Sequence, residues 1–233
     1  MTPASSRLPF DDDRVERTIG LTTDHVELAG TLGVPANAVG VVLFAHGSGS
    51  SRFSSRNRYV ARVLRDAGFA TLLLDLLSSR EEQIDEVTTE FRFDIPRLAD
   101  RLVAAIDWLA IERDVSGLSV GLFGASTGGG AALVAATARP ARVNAIVSRG
   151  GRPDLAGDAL RIVSAPTLLI VGGHDEPVIE LNEKARRRMR AEVRMEIVPR
   201  ATHLFEEPGA LERVAELARD WFLKHLAHAG TLA

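Results

Sequence analysis

The sequence contains no cysteine. This absence excludes a disulfide framework, a thiolate metal site and a cysteine nucleophile, and it is compatible with a reducing compartment. The sequence also lacks any apolar run near the ~20 residues that a helix needs to cross a membrane. Positive charge is not in excess either, because 28 basic residues are balanced against 31 acidic ones. The resulting net charge of -3 argues against a nucleic-acid-binding protein, which needs a basic surface to neutralise phosphates.

The N-terminal residues 1–13 have the features of a flexible arm. They lack a basic start followed by an apolar run, so they do not resemble a signal peptide. The remaining residues, 14–233, contain no repeat, linker or shift in composition. Their hydrophobic content is sufficient for a core, since 45% of the whole sequence is hydrophobic. We therefore expect a soluble, cytoplasmic protein with a flexible arm (1–13) and a single domain (14–233).

Short strands alternate with amphipathic helices along most of the chain. Strands are predicted at residues 41–45, 69–74, 120–123, 143–147, 166–171 and 193–198. Most of these strands are apolar throughout, which is typical of parallel strands that are buried on both faces. Apolar residues at helical spacing predict helices at residues 57–67, 95–110, 129–138 and 177–191, and in the stretch 211–222.

Two segments rich in β-branched residues, 14–21 and 25–33, precede this alternation and are predicted to form an antiparallel hairpin. The fold class is therefore α/β, with a mostly parallel central sheet, an antiparallel N-terminal edge and helices on both faces. Segment 76–94 has no clear pattern, and a flap that contains a short helix is one interpretation. Only 16 residues separate Arg149 from Pro166, which is too few for a large cap domain.

The pattern Gly-x-Ser-x-Gly occurs at residues 124–128, between a predicted strand and a predicted helix. In this context the serine can occupy a strained strand-to-helix turn, which exposes its hydroxyl group as a nucleophile. The flanking residues Gly124 and Gly128 would let the strand and the helix pack closely. Ordinary Gly/Ser loops contain the same five-residue pattern, so the assignment of Ser126 as a nucleophile depends on its partners.

Two residues further along the chain can supply these partners. A serine hydroxyl is a weak nucleophile at neutral pH and needs a base, for which histidine is well suited. The histidine needs a carboxylate that holds its tautomer and stabilises the imidazolium. With this kind of elbow, the acid and then the histidine follow the serine along the chain. Asp175 and His203 each follow a later strand, so we predict a catalytic triad of Ser126, His203 and Asp175.

Other acidic residues and histidines compete for these roles. Glu176 and Asp154 are alternatives for the acid, but the position of Asp175 after the strand favours Asp175. Asp75 ends a strand before the elbow and is expected to cap or pair locally. The other histidines either neighbour the acid or lie in peripheral elements: His174, His25, His225 and His228.

These residues and their spacing resemble those of the α/β-hydrolases, and more narrowly the dienelactone-hydrolase-like branch. The resemblance covers residues 15–226. Four motifs carry it: His46-Gly47 after a buried strand, the elbow at 124–128, Gly172-Gly-His-Asp175, and Ala201-Thr-His203. The resemblance implies an α/β-hydrolase fold and hydrolysis by the predicted triad. Dienelactone hydrolases proper have cysteine at the elbow where this sequence has Ser126, so the resemblance does not extend to dienelactone as the substrate.

Acyl transfer also needs hydrogen-bond donors for the developing oxyanion, and the loss of one donor typically costs about 3 kcal/mol. One predicted donor is the backbone N–H of Thr127, directly after the nucleophile. The second is the N–H of Ser48, in the loop after the strand at 41–45. His46, in the same loop, is expected to be structural. We predict no metal or other cofactor, because no cluster of histidines and carboxylates has ligand spacing.

Arg149 and Arg152 follow a strand beside the predicted site. A guanidinium group could bind an anionic substrate there. The alternative is a structural ion pair with Asp154 or Asp158, and both interpretations stay open. Two arginines of the serine-rich loop raise the same question: Arg52 and Arg56.

The sequence therefore predicts a serine hydrolase that cleaves ester, thioester or related acyl bonds in a small or medium substrate through an acyl-enzyme. Two alternatives stay open. One is a lactone or C–C bond hydrolase with the same triad, and the other is a non-catalytic homologue that binds small molecules. The expected partner is a small-molecule substrate, without nucleic acid or membrane, and the oligomeric state is not predicted.

Overall fold

The apolar runs of the sequence form the centre of the sheet in the computed structural model, which describes residues 16–23 and 26–227. Four strands are buried at every residue: β3 (Gly40–Ala45), β4 (Phe69–Leu74), β5 (Val120–Ala125) and β7 (Thr167–Gly172). Strands that are covered on both faces need apolar side chains on both faces, which explains the continuous apolar runs.

The described residues form an eight-stranded sheet with the order β1-β2-β4-β3-β5-β6-β7-β8. The remaining strands are β1 (Glu16–Thr23), β2 (Val26–Gly33), β6 (Val143–Arg149) and β8 (Val193–Val198). β1 pairs antiparallel with β2, and β2 pairs antiparallel with β4. All other neighbours are parallel. The predicted hairpin and the mostly parallel sheet are confirmed, whereas residues 14, 15, 24 and 25 lie outside the described residues, as does the predicted arm (1–13).

Helices cover both faces of this sheet. They are α1 (Ser55–Asp66), α2 (Ser79–Thr88), α3 (Ile95–Leu109), α4 (Thr127–Ala138), α5 (Ala159–Ile162), α6 (Glu176–Arg188) and α7 (Ala210–Leu226). Alternate residues of β3 belong to different cores. Val41 and Leu43 pack in the core that contains residues of α3 and α4, whereas Val42 and Phe44 pack in the core that contains residues of α1 and α7.

The polar segment 76–94 contains α2, which is held by polar contacts. A capping box at its N-terminus joins Ser78 and Glu81. The Glu81 carboxylate also binds Arg97 and Arg101 of α3, at 3.2 Å and 3.1 Å. At the C-terminal end, the buried Asp85 accepts hydrogen bonds from the backbone and the guanidinium of Arg92. The short helix of the predicted flap is therefore present.

The connection between β6 and β7 is short, as expected. It contains a 3-10 helix (Pro153–Ala156) and α5, with no cap domain within this fully described segment. The carboxyl end of the sheet is therefore covered mainly by loops. None of the helices within residues 16–23 and 26–227 is both long enough and apolar enough to cross a bilayer.

Candidate active site

Ser126 occupies a single-residue turn between β5 and α4. β5 ends at Ala125 and α4 begins at Thr127, two residues before the predicted helix start. The backbone of Ser126 has φ 51° and ψ −122°, a conformation that is rare for a residue other than glycine. Such strain, on the order of 1–3 kcal/mol, persists only where the surrounding structure imposes it. The predicted strand-to-helix elbow is therefore present at Ser126.

Two glycines allow the backbone to approach this elbow closely. A Cβ atom at Gly128 would lie 2.3 Å from the carbonyl oxygen of Ala45, at the end of β3. A Cβ atom at Gly47 would lie 3.0 Å from the Cβ atom of Ser126. The loop after β3 therefore packs directly against the elbow, and larger residues at these positions would force the two apart.

Asp175 and His203 are in contact at the carboxyl edge of the sheet. Asp175 lies between β7 and α6, and His203 lies in the loop after β8. The Nδ1 atom of His203 is 2.6 Å from Oδ2 of Asp175. The Asp175 side chain is 13% exposed and that of His203 is 40% exposed, so the pair is shielded on the acid side and open on the imidazole side.

Among the described residues, neither of the competing acids, Asp154 and Glu176, forms a hydrogen bond or an ion pair with His203. Asp154 pairs with Arg152, and Glu176 and His174 are exposed at the start of α6 and just before Asp175. His225 lies on α7, with Nε2 3.9 Å from a carboxylate oxygen of Glu192. Two further histidines lie outside the described residues: His25 and His228.

Ser126 and His203 line the same cavity, which has a volume of about 210 Å³ and which we call the Ser126 chamber. Ser48 and Arg149 also line it. The structure thus brings the predicted nucleophile, the predicted base with its acid, and one predicted oxyanion residue to one place.

The two predicted oxyanion donors lie in the elbow and in the loop packed against it, since Thr127 directly follows Ser126 and Ser48 directly follows Gly47. Thr127 is the first residue of α4, so its N–H group has no acceptor within the helix. Among the described residues, no backbone hydrogen bond outside the helices and strands uses the N–H group of Ser48. Both N–H groups are therefore available to an oxyanion.

His46 is a structural residue, as expected from its loop. Its Nδ1 atom is 2.9 Å from the carbonyl oxygen of Gly47, and its Nε2 atom accepts a hydrogen bond from the N–H of Leu76 at 3.0 Å. This pattern places the proton on Nδ1, because Nε2 acts as the acceptor. Burial lowers the pKa of His46, with Gly47, Asp75 and Glu82 opposing the shift. The neutral imidazole therefore ties the loop after β3 to the segment after β4.

Asp75 pairs locally, as expected. It accepts hydrogen bonds from the backbone N–H and the guanidinium of Arg52. Arg56 pairs with Glu206 at 3.1 Å. Both arginines of the serine-rich loop, Arg52 and Arg56, therefore have an acidic partner.

The two arginines after β6 differ. Arg152 forms an ion pair with Asp154, at 2.8 Å. This is the structural ion pair that the sequence offered as the alternative to substrate binding. The same alternative is wrong for Arg149, which is only 7% exposed and has no carboxylate partner among the described residues. Its NH2 group donates to Oδ1 of the buried Asn57, at 3.3 Å. Burial, with a smaller contribution from the charge of Arg56, lowers the pKa of Arg149 to about 10.

Asn57 was not a candidate from sequence. It lies in the first turn of α1 and is 2% exposed, and it also lines the Ser126 chamber. The only feature of the sequence that could have pointed to Asn57 was the presence of a polar residue in a predicted amphipathic helix. In the part of the chain that the structure describes, no three histidine, aspartate or glutamate residues are grouped in a way that could hold a metal ion.

The sheet order, the elbow between β5 and α4 and the polar residues at the strand ends define the α/β-hydrolase fold. A model of the dienelactone hydrolase family matches residues 28–228. The chain therefore belongs to the dienelactone hydrolase family, and both the predicted fold class and the predicted family resemblance are confirmed.

Solved structures agree with this assignment. Dienelactone hydrolase from Anabaena variabilis is 60% identical, with a TM-score of 0.89 over 91% of this chain and 98% of that one. Est1E from Butyrivibrio proteoclasticus is 16% identical, with a TM-score of 0.75 over 89% of this chain and 98% of that one. At that identity the second similarity concerns the fold alone.

Two curated relatives are proteins of Mycobacterium tuberculosis that carry the provisional name phosphoribosyl transferase. Each is 55% identical over 227 residues, which is 97% of this chain and 49% of the relative. The chain thus spans about half the length of the curated relatives that it matches.

Proposed function

We propose that this chain is a serine hydrolase that cleaves an ester, thioester or related acyl bond in a small or medium substrate. The observation that carries this proposal is the 2.6 Å contact between His203 and Asp175, made beside the chamber that Ser126 also lines. A strained serine, a histidine held by a carboxylate and two free N–H groups are the parts that acyl transfer requires.

The chemistry follows from these positions. The Oγ atom of Ser126 attacks the carbonyl carbon of the substrate, and its proton passes to Nε2 of His203. Asp175 holds the Nδ1–H tautomer and stabilises the imidazolium. The N–H groups of Ser48 and Thr127 bind the oxyanion. The imidazolium then gives its proton to the leaving group, and water, activated by His203, releases the acid from the acyl-enzyme.

Arg149 is proposed to bind an anionic group of the substrate. It lines the Ser126 chamber together with His203, and His203 must reach the leaving group in order to protonate it. An anion on the leaving-group side would give the buried guanidinium a negatively charged partner, where the described residues supply only the neutral amide of Asn57. Arg152 is not assigned to substrate, because its charge is paired with Asp154.

The provisional transferase name of the two relatives is not proposed for this chain. The match covers 49% of each relative, and the elbow and its partners lie within the matched part. We assign acyl hydrolysis to this part because its polar groups are arranged around a serine.

The test is the hydrolysis of p-nitrophenyl acetate and butyrate by the wild type and by Ser126→Ala. The variant should lose activity by a factor of about 1,000 or more. Ser119→Ala is the matched control, because Ser119 precedes the opposite end of the same strand. Wild-type activity in Ser126→Ala would refute the proposal.

A fluorophosphonate probe separates the hydrolase from a non-catalytic binder. The wild type should be labelled at Ser126, and a binder with an inactive serine should not react. Lactones and C–C bond substrates are included in the same panel, because a lactone or C–C bond hydrolase would use the same three residues. Cleavage of one of these substrates in preference to the esters would favour that alternative.

A further inference from the structure

A second cavity, with a volume of about 160 Å³, adjoins the Ser126 chamber. The two cavities share Gly47, Ser48 and Ser50, so the loop after β3 forms the wall between them. The second cavity is also lined by residues of α2, and we call it the acidic chamber. It extends the space available to a substrate beyond the elbow.

Four carboxylates line the acidic chamber, and two of them have cationic partners. Asp75 is paired with Arg52, and Asp85 is paired with Arg92. Glu82 and Glu86 have no ion-pair partner among the described residues. They are four residues apart on α2, where two like charges destabilise a helix by about 0.2–0.5 kcal/mol. Arg92 also lines the chamber, but Asp85 neutralises its charge, so the exposed carboxylates of Glu82 and Glu86 leave an excess of negative charge that a bound cation would relieve.

Thr127 connects the acidic chamber to the reacting centre. Thr127 is 2% exposed, and its Oγ1 atom has no hydrogen-bond partner among the described residues. Thr127 lines the acidic chamber and directly follows Ser126. A buried hydroxyl group without a partner is unfavourable, and a polar group of a bound molecule would satisfy it. Leu77 and Leu98 add an apolar surface to the same cavity.

The position of His203 indicates which part of a substrate would enter. His203 lines the Ser126 chamber and is absent from the residues around the acidic chamber. The leaving group must stay within reach of His203, so the part that extends past Ser48 and Thr127 is the acyl group. Carboxylates beside an apolar surface suit an organic ammonium group on an alkyl chain.

We propose that the acidic chamber is an acyl-group subsite that selects a small organic cation through Glu82 and Glu86. This proposal rests on the proposed function, since it assumes acyl transfer at Ser126. With an anion at Arg149 on the other side of the loop, the two chambers would orient a substrate that carries opposite charges at its two ends.

The first test compares two p-nitrophenyl esters. The acyl chain of one ends in a trimethylammonium group, and that of the other ends in the uncharged tert-butyl isostere. The wild type should prefer the cationic ester by about tenfold in kcat/KM at low salt, and the preference should shrink as salt screens the carboxylates. The double variant Glu82→Gln/Glu86→Gln should lower the ratio to about one.

Glu90→Gln is the matched control, because Glu90 is exposed near the end of α2 and does not line the chamber. It should retain the wild-type ratio. A ratio that is unchanged in the double variant, or that falls equally in Glu90→Gln, would overturn the proposal.

The second test needs no turnover. Binding of choline and of its neutral isostere 3,3-dimethylbutan-1-ol to Ser126→Ala is measured by NMR titration. Choline should bind about fivefold more tightly, and adding Glu82→Gln/Glu86→Gln should remove the difference. Equal binding of the two compounds to Ser126→Ala would refute the subsite, whereas selective choline binding without ester hydrolysis by the wild type would refute only the proposed function.

Discussion

Oδ2 of Asp175 and Nδ1 of His203 lie 2.6 Å apart, although the two residues are 28 positions apart in sequence. The contact forms because β7 and β8 are parallel neighbours whose carboxyl ends meet at one edge of the sheet. Asp175→Asn should lower kcat about 10,000-fold at neutral pH, because an amide cannot hold the required tautomer or stabilise the imidazolium. Steady-state kinetics with p-nitrophenyl butyrate would measure this loss.

The neighbouring carboxylate provides the control for this prediction. Glu176→Gln removes the same charge from an exposed residue at the start of α6 and should leave kcat within about twofold of the wild type. A comparable loss in both variants would mean that charge near the site, rather than the Asp175–His203 contact, supports activity.

His46 should make the folded protein less stable as the pH falls. Burial lowers its pKa, so the unfolded chain, with an ordinary histidine pKa of about 6.5, binds a proton more readily than the folded chain. Below that pH, unfolding is accompanied by proton uptake, and stability falls by at most about 1.4 kcal/mol per pH unit until the folded-state pKa is reached. Urea unfolding of the wild type and of His46→Gln, at pH values from about 7.5 to about 5.5, should show a flatter dependence in the variant.

His225 is the comparison for this experiment. Burial also lowers the pKa of His225. His225→Gln should therefore also make the free energy of unfolding less dependent on pH over the same range, by a separate contribution. If His46→Gln and the wild type lose stability in parallel over this range, the buried imidazole is not the source of the dependence.

Gly128→Ala should destabilise the protein by more than about 2 kcal/mol. The added Cβ atom would lie 2.3 Å from the carbonyl oxygen of Ala45 and 2.6 Å from that of His46, and both contacts are with backbone rather than with a flexible side chain. Gly117→Ala is the control, because nothing lies within 4 Å of a Cβ atom there. Urea unfolding should place Gly117→Ala within about 0.5 kcal/mol of the wild type, and a similar value for Gly128→Ala would contradict the packing described for the elbow.

Arg149→Met should separate stability from substrate choice. Removing a buried cation that has no acidic partner relieves its desolvation but leaves Oδ1 of the buried Asn57 without a donor, so the free energy of unfolding should change by less than about 2 kcal/mol. The substitution should lower the preference for 4-acetoxybenzoate over neutral 4-acetoxybenzamide about tenfold, since the anionic leaving group loses its partner. Arg152→Met, which breaks the pair with Asp154, should leave that preference unchanged, and an equal effect of both variants would argue against a specific role of Arg149.

Much of the fold follows from the sequence because it depends on patterns along the chain. The apolar runs at β3, β4, β5 and β7 favour strands that are buried on both faces, and such strands are typical of parallel sheets, although β4 also has an antiparallel neighbour in β2. Parallel strands place their carboxyl ends at one edge. The positions of Ser126, Asp175 and His203 after separate strands therefore predict that they lie at one edge of the sheet, where Asp175 contacts His203 and where Ser126 and His203 line one cavity.

The features that the sequence predicted only loosely, or not at all, depend on long-range contacts. Helix α2 has few apolar residues that could reveal a buried face, and it is held by the bonds of Glu81 to Arg97 and Arg101 on another helix. The acidic partner expected for Arg149 is replaced by Asn57, 92 residues earlier in the chain. Packing of the whole chain determines which polar groups meet across such distances, and no local sequence pattern predicts these contacts.

The positive φ of Ser126 has a consequence for the chemical handling of the protein. Because the turn is imposed by its surroundings, a cysteine, which is also small and unbranched, can occupy it with its sulfur atom in place of the oxygen. Since the natural sequence has no cysteine, Ser126→Cys would contain a single thiol, located at the reacting centre. Alkylating or disulfide-forming reagents would then attach a reporter at that one position without any further change to the chain.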